Sequence, residues 1–222
     1  MKNQEHKEVL VWDWQTRVLH WLNAFLVIGL AVLALSFEIM EDMGISESTE
    51  EYIKRIHAVT GYFFAVTFTL RIIWGFVGNE YARWSDMIPC NRERWNIIFA
   101  DIKWYLSGFK KKPPIVLGHN PLASLFYIPL FIILASQIIT GLALAGLEFD
   151  YLPVSLFVGN WGEGAKEGLE EIAEEIHEFG LLFVIFFFIA HMAGLVVHTI
   201  GEKTGLFFSM IHGKKRLPKD IE

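Results

Sequence analysis

Four predominantly apolar runs, at residues 18–37, 56–77, 122–146 and 179–200, leave this 222-residue chain few ways to fold. Each matches the roughly 20 residues that a helix needs to cross a hydrocarbon core of about 30 Å. Inside such a core each backbone N–H and C=O must be satisfied within its own segment, so each run is expected to be a helix. A mean hydropathy of +0.38 and 53% hydrophobic residues, with 19 Phe among them, are high for a water-soluble domain. The expected fold is all-α: an integral membrane four-helix bundle, with residues 1–222 forming a single membrane domain. The third run contains Pro129 and Gln137, so its helix is expected to bend. The first run is not read as a secretion signal. The "LALS" at 33–36 loosely resembles a cleavage site, but the "KEVLVWDWQTRVLHW" before it is long and mixed in charge rather than short and basic.

Charge orients the four runs. Residues 38–55 hold six acids (Glu38, Glu41, Asp42, Glu47, Glu50 and Glu51) against Lys54 and Arg55, and residues 147–178 hold nine acids against Lys166 alone. The other 16 Lys and Arg lie in the N-terminal segment, the 71–120 stretch and the C-terminal tail. By the positive-inside rule these basic segments are cytoplasmic and the acidic loops outside. Both termini are therefore expected in the cytoplasm, in a multi-pass protein of the bacterial inner (plasma) membrane. Membrane lipid is an expected partner and nucleic acid is not; a homodimer is left open.

Between the second and third runs, "RERWNIIFADIKWYLSGFKKK" places Trp95, Ile98, Phe99, Ile102, Leu106 and Phe109 at helical intervals, with Arg92, Arg94, Asp101 and Lys103 elsewhere. The pattern predicts an amphipathic helix on the inner membrane surface, ended by Gly108 and the basic run at 110–114. The alternative is a helix packed beneath the bundle. Before the fourth run, Leu169, Ile172, Ala173 and Ile176 form one stripe, so that helix is expected to begin before it enters the membrane. Its remaining face is mostly glutamate, either simply solvated or a docking surface for a positively charged partner.

The fourth run also carries three histidines, His177, His191 and His198, at intervals of 14 and 7 residues. At about 100° per residue these intervals return to within ~40° and ~20° of one face. His6 and His212 sit in polar terminal segments, and His119, in "LGHNPL", lies where the chain re-enters the membrane. His20 lies near the inner end of the first run. His57 and His177 both lie near the outer layer, and His191 is about 21 Å deeper than His177. Two histidine layers result, with either His191 or His198 facing His20. Neutral imidazoles from different helices can hold one haem iron between them, and ligation would satisfy ring nitrogens that lipid cannot. Zinc would want three or four ligands at one place, and a proton relay does not need this pairing. The single Cys90 excludes an internal disulfide and the C-x-x-C-H attachment of c-type haem.

These motifs occur in combination in a known family. "VWDWQTRVLHWLNAFLVIGL", with Arg17, His20 and Trp21 as R-x-x-H-W, resembles the first span of the bacterial cytochrome b561 family, which includes the b-type cytochrome subunits of nickel–iron hydrogenases. "IHAVTGYFFAVTFTLRIIWGFVG" is similar to its second span, "LGHNPL" to the start of its third, and His177, His191 and His198 to its fourth. The resemblance covers nearly the whole chain. It implies a four-helix bundle with two b haems that moves electrons between a periplasmic partner (a c-type cytochrome or a hydrogenase) and membrane quinone. By position, His20 and His191 would ligate the inner haem, and His57 and His177 the outer one. His198 and His119 would then be possible quinone or propionate contacts, and Arg17 and Arg71 possible propionate partners or interfacial anchors. Gly61, one turn after His57, would leave room for a porphyrin face or serve close helix packing.

The resemblance assigns no catalytic residue beyond these cofactor contacts. Two rival readings are a self-contained oxidase of a small reductant, such as superoxide, that delivers electrons to quinone, and a non-redox anchor or transporter. The acidic outer face argues against an anionic substrate, and the last reading predicts no haem.

Overall fold

The computed structural model describes residues 6–110, 114–202 and 204–218. The side chains at 6, 38, 41, 42 and 218 lie outside the description, as do residues 111–113 of the basic run expected to end the amphipathic helix. Strand β1 (His6–Leu10) leads into α1 (Trp14–Asp42) and α2 (Glu47–Val77), followed by a short α3 (Trp84–Met87) and α4 (Arg92–Leu106). Helix α5 (Pro121–Glu148), a single turn α6 (Ser155–Val158), α7 (Glu163–Glu202), α8 (Leu206–His212) and strand β2 (Lys214–Pro218) complete the chain. Helices α1, α2, α5 and α7 contain the four apolar runs and are long and apolar enough to cross a membrane.

Each helix runs past its apolar stretch because local chemistry favours its ends. Asp13 Oδ1 accepts from Thr16 N at 2.8 Å at the start of α1, and Asn91 Oδ1 accepts from Arg94 N at 2.9 Å at the start of α4. Asn120 Oδ1 accepts from Leu122 N and Ala123 N, with Pro121 in the first helical position, where its missing N–H costs nothing. Helix α5 continues through Pro129. Helix α7 starts at Glu163, so the expected helical extension ahead of the fourth run is present, with Glu167, Glu171, Glu174, Glu175 and Glu178 exposed on it.

Packing divides the chain into two units. The first comprises Met1–His20, Leu70–Pro129 and Phe187–Glu222, and it buries Val11, Trp12, Met87, Ile98, Trp104 and Leu217. The second comprises Trp21–Thr69 and Leu130–Phe186, and it buries Phe64, Phe68, Leu134, Ala145, Ala173 and Val184. In that unit the Gln137 side chain lies against Gly180, where an added Cβ would come within 2.1 Å of Nε2. Large apolar side chains such as Phe25, Val66, Ile132, Phe179, Leu182 and Ile189 are exposed. So broad an apolar surface marks contact with lipid rather than water.

Helix α4 departs from the simple amphipathic expectation. Trp95, Phe99, Ile102 and Leu106 form an exposed apolar row, while Ile98, Asp101 and Trp104 are buried. Asp101, placed by its sequence pattern away from the apolar stripe, is 0% exposed.

The chain is also not wholly helical. Strands β1 and β2 pair antiparallel, with Lys7 opposite Leu217 and Val9 opposite Lys215. Gly213 O accepts from Val11 N at 2.9 Å and from Trp12 N at 3.0 Å, and Lys214 Nζ meets Glu8 Oε2 at 3.2 Å. Such pairing holds residues 6–10 and 214–218 in one compartment and requires an even number of crossings between them. Gly213 sits at φ +84°, and a Cβ there would come within 2.5 Å of Trp12 O. Gly213→Ala is therefore expected to cost about 2 kcal/mol or more, read as a lower thermal unfolding midpoint.

Candidate functional site

Helices α2, α5 and α7 bring His57 and His177 together in the second unit. Their ring centroids lie 6.1 Å apart at an interplanar angle of 70°. Thr140 of α5 sets the tautomer of His177. Its hydroxyl donates to Ser136 O at 2.8 Å, so it must accept from His177 Nδ1–H, also at 2.8 Å. Nε2 of His177 then carries the lone pair, which is the form that ligates a metal. The Leu30 backbone and the Phe37 ring approach His57 on another side. His57 Nδ1 is buried without a hydrogen-bond partner among the described residues.

The first unit holds His20 and His191. His20 lies within electrostatic range of His191, Arg71 and His119. His191 stacks on Phe187, centroids 5.6 Å apart and 15° from parallel, and lies 6.1 Å from the Tyr127 ring. Arg71, 9% exposed, donates to Ala82 O at 3.4 Å and lies 5.6 Å from the Trp84 ring. Arg17 donates from Nη1 to Ile211 O at 2.5 Å and from Nε to Asp13 O at 3.3 Å.

His198 and His119 each have a carboxylate partner. His198 Nδ1 lies 2.7 Å from Glu202 Oε1, one turn further along α7, and its ring packs against Trp104 and Tyr105. His119 Nδ1 lies 3.0 Å from Asp86 Oδ2, which also accepts from His119 N at 2.8 Å. Arg94 donates to Asp86 Oδ1 at 3.1 Å and to His119 O at 3.1 Å. Burial pushes the His119 imidazole below its ordinary value, against the upward pull of Asp86. Burial would raise the Asp86 carboxyl, but the hydrogen bonds of His119 and the charges of His119 and Arg94 hold it below its usual range. Lys215 of β2, 2% exposed, donates to Val116 O and Gly118 O, both at 3.1 Å. Burial pushes its ammonium down to about 8.

A family model described as prokaryotic cytochrome b561 matches residues 11–213. The chain belongs to the prokaryotic cytochrome b561 family. Among its relatives, a probable Ni/Fe-hydrogenase B-type cytochrome subunit of Bradyrhizobium diazoefficiens is 29% identical, over 94% of this chain and 86% of the relative. One of the same description from Rhizobium leguminosarum bv. viciae is 30% identical over 98% and 92% of the two chains. A probable Ni/Fe-hydrogenase 1 B-type cytochrome subunit of Escherichia coli K12 is 34% identical over 64% of this chain and 62% of its own length.

As a prokaryotic cytochrome b561, this is a multi-pass membrane protein of electron transport that works with haem b. Its residues fit such a group. Ring centroids 6.1 Å apart leave space for one atom bound to a nitrogen of each ring, at metal–imidazole lengths of about 2 Å. Gly61, Gly29 and Gly194 lie inside helices, and a Cβ added at any of them would meet nothing within 4 Å. Close helix packing therefore does not explain Gly61, whereas an open strip beside His57 suits a flat macrocycle.

Sequence patterns singled out the histidines but not their partners. Glu202 was legible as an i,i+4 neighbour of His198 on one helix. Thr140 lies 37 residues from His177, and Asp86 lies 33 residues from His119. No local pattern joins either pair.

Proposed function

We propose that this cytochrome b561 is a dihaem electron-transfer subunit linking a redox partner outside the membrane to quinone within it. His57 and His177 would hold the outer haem b, and His20 and His191 the inner one. The observation that carries the reading is the facing pair His57 and His177, with the His177 tautomer set by Thr140. Haem supplies one-electron chemistry by cycling its iron between ferrous and ferric states. With these imidazoles holding the haem, the protein's own residues would orient the rings, exclude water and adjust the surrounding charge.

The remaining assignments follow from position. Arg71 and Arg17 are proposed to neutralise propionates on the inner side, a role suited to forked donors. His198 and His119 are proposed as polar contacts for quinone near the inner haem. The exposed glutamates at the start of α7 form the docking face for a soluble partner, and the printed names of the relatives make a nickel–iron hydrogenase the foremost candidate. The basic segments support a cytoplasmic location for both chain ends, and the exposed apolar row of α4 would rest on that face of the bilayer.

The test is quinol formation in proteoliposomes containing this chain and its cognate hydrogenase under hydrogen. Formation should require the haem-loaded chain, and no quinol above a chain-free control would overturn the reading. A sharper check is Thr140→Val, which removes the acceptor that orients His177. Loss of such a partner typically weakens metal binding about 10–100-fold. Haem titration of the apoprotein should therefore show one of two sites weakened, with the other unchanged.

A further inference from the structure

The first unit buries more ionisable groups than haem ligation accounts for. Asp101 of α4 is 0% exposed, and its Oδ2 accepts a hydrogen bond from Asn120 Nδ2. Its Oδ1 is buried with no partner among the described residues. On one side, Asp101 interacts electrostatically with both members of the His198–Glu202 pair. On the other, Asn120 adjoins His119 in the chain, and His119 is bonded to Asp86. Lys215 feels both Glu202 and Asp86. Five chain segments therefore converge on a buried polar cluster: α3, α4, the loop before α5, the end of α7, and β2.

A cluster of this kind is costly. Burying a carboxylate with a free oxygen, beside two further carboxylates, spends stability that an apolar core would not. Burial raises the Asp101 carboxyl above its ordinary value, which favours the protonated acid. A fully buried carboxyl with one oxygen that has no partner among the described residues, shifted toward its acid form and grouped with two histidine–carboxylate pairs, is suited to carry protons. The titratable groups that interact with Asp101 directly are His198 and Glu202 from α7 and Tyr105 from its own helix; Lys215 joins the cluster through Glu202 and Asp86, and His119 and Arg94 through Asp86.

We propose that Asp101, with His198–Glu202 and His119–Asp86 on its two sides, is the proton carrier that serves quinone chemistry in this chain. The proposal rests on the quinone reading above. Reduction of one quinone takes two electrons, which leave iron one at a time, and two protons, which form O–H bonds at the two quinone oxygens. The cluster supplies those protons and is refilled from water on the same side. Oxidation of a quinol runs the same steps in reverse. Asp101 ends each cycle protonated as it began, so atoms and charge balance.

The test uses haem-loaded protein in lipid nanodiscs, as wild type, Asp101→Asn and Glu202→Gln. Reduced protein is mixed either with a short-chain ubiquinone analogue, which needs protons, or with ferricyanide, which does not. Asp101→Asn should slow reoxidation by quinone at least tenfold and Glu202→Gln should slow it several-fold, with ferricyanide rates unchanged in both. A reduced-minus-oxidised infrared spectrum supplies a second readout, independent of turnover. Wild type should show a carboxylic C=O band that Asp101→Asn removes. Unchanged quinone rates in both variants, equal slowing by both oxidants, or a carboxylic band that survives in Asp101→Asn would each overturn the proposal. Wild-type protein that ferricyanide reoxidises but quinone does not would instead sink the quinone reading and this proposal with it.

Discussion

Purified His57→Ala and His177→Ala proteins should each hold one haem b fewer than the wild type, for which the proposed assignment predicts two. His20→Ala and His191→Ala should each lose the other haem. On the proposed assignment one ring of a pair could not hold its haem as the two together would, because truncation would remove one of the two groups that bind it. The measurement is haem per chain, together with a reduced-minus-oxidised spectrum resolved by redox titration. Members of one pair should remove the same redox component, and members of different pairs different ones. If His57→Ala and His177→Ala removed different components, the pairing would be wrong, whatever the total haem count. No haem in carefully reconstituted wild type would return these histidines to a structural role.

The second large effect concerns pH. Lys215 is buried, and burial pushes its ammonium from 10.5 down to about 8, with Glu202 and Asp86 pulling the other way. Below pH 8 the folded and unfolded chains both hold this proton, and the folded state bears the full cost of burying the charge. Between about 8 and 10.5 the unfolded chain binds more protons than the folded one, so stability rises with pH across that window. At about 1.4 kcal/mol per pKa unit, the rise is on the order of 3 kcal/mol. Denaturant unfolding of detergent-solubilised protein at pH 7.5 and pH 10 should show it as a difference between wild type and Lys215→Met. Other lysines and tyrosines titrate in both proteins, so only that difference is diagnostic. Parallel curves for the two proteins would mean that the ammonium is not held in the surroundings described.

The membrane helices were legible because the period and length of an apolar run depend on residues close in sequence. The same holds for α4 and for the helical start of α7, where Leu169 and Ala173 share a stripe with the acids between them. Legibility ended where the partner lay far along the chain. Val9 and Lys215 are polar-segment neighbours of no obvious pattern, and only the folded chain pairs them across the ribbon. Asp101 shows a different limit. Read as one face of an amphipathic helix, a charged residue off the apolar stripe belongs in water, and that logic recognises only lipid as a place for burial. Here the protein itself covers Asp101, with Asn120 as its hydrogen-bonding partner, while Arg92, Glu93 and Lys103 of the same helix stay exposed. The histidine pairs stood between these cases: depth could be counted from helical rise, but Thr140, which decides which nitrogen of His177 faces its partner, could not.

The β1–β2 ribbon also bears on how the protein is made. Residues 6–10 leave the ribosome before the four apolar helices and residues 214–218 after them, yet they form one antiparallel pair. Closure must wait until the fourth apolar helix and the segment that follows it have been translated. Until then β1 has no partner strand, Arg17 lacks the Ile211 carbonyl, and the carbonyls of Val116 and Gly118 lack the Lys215 ammonium. The ribbon is thus a clasp that can close only after all four apolar helices have been made, joining the segments that flank them.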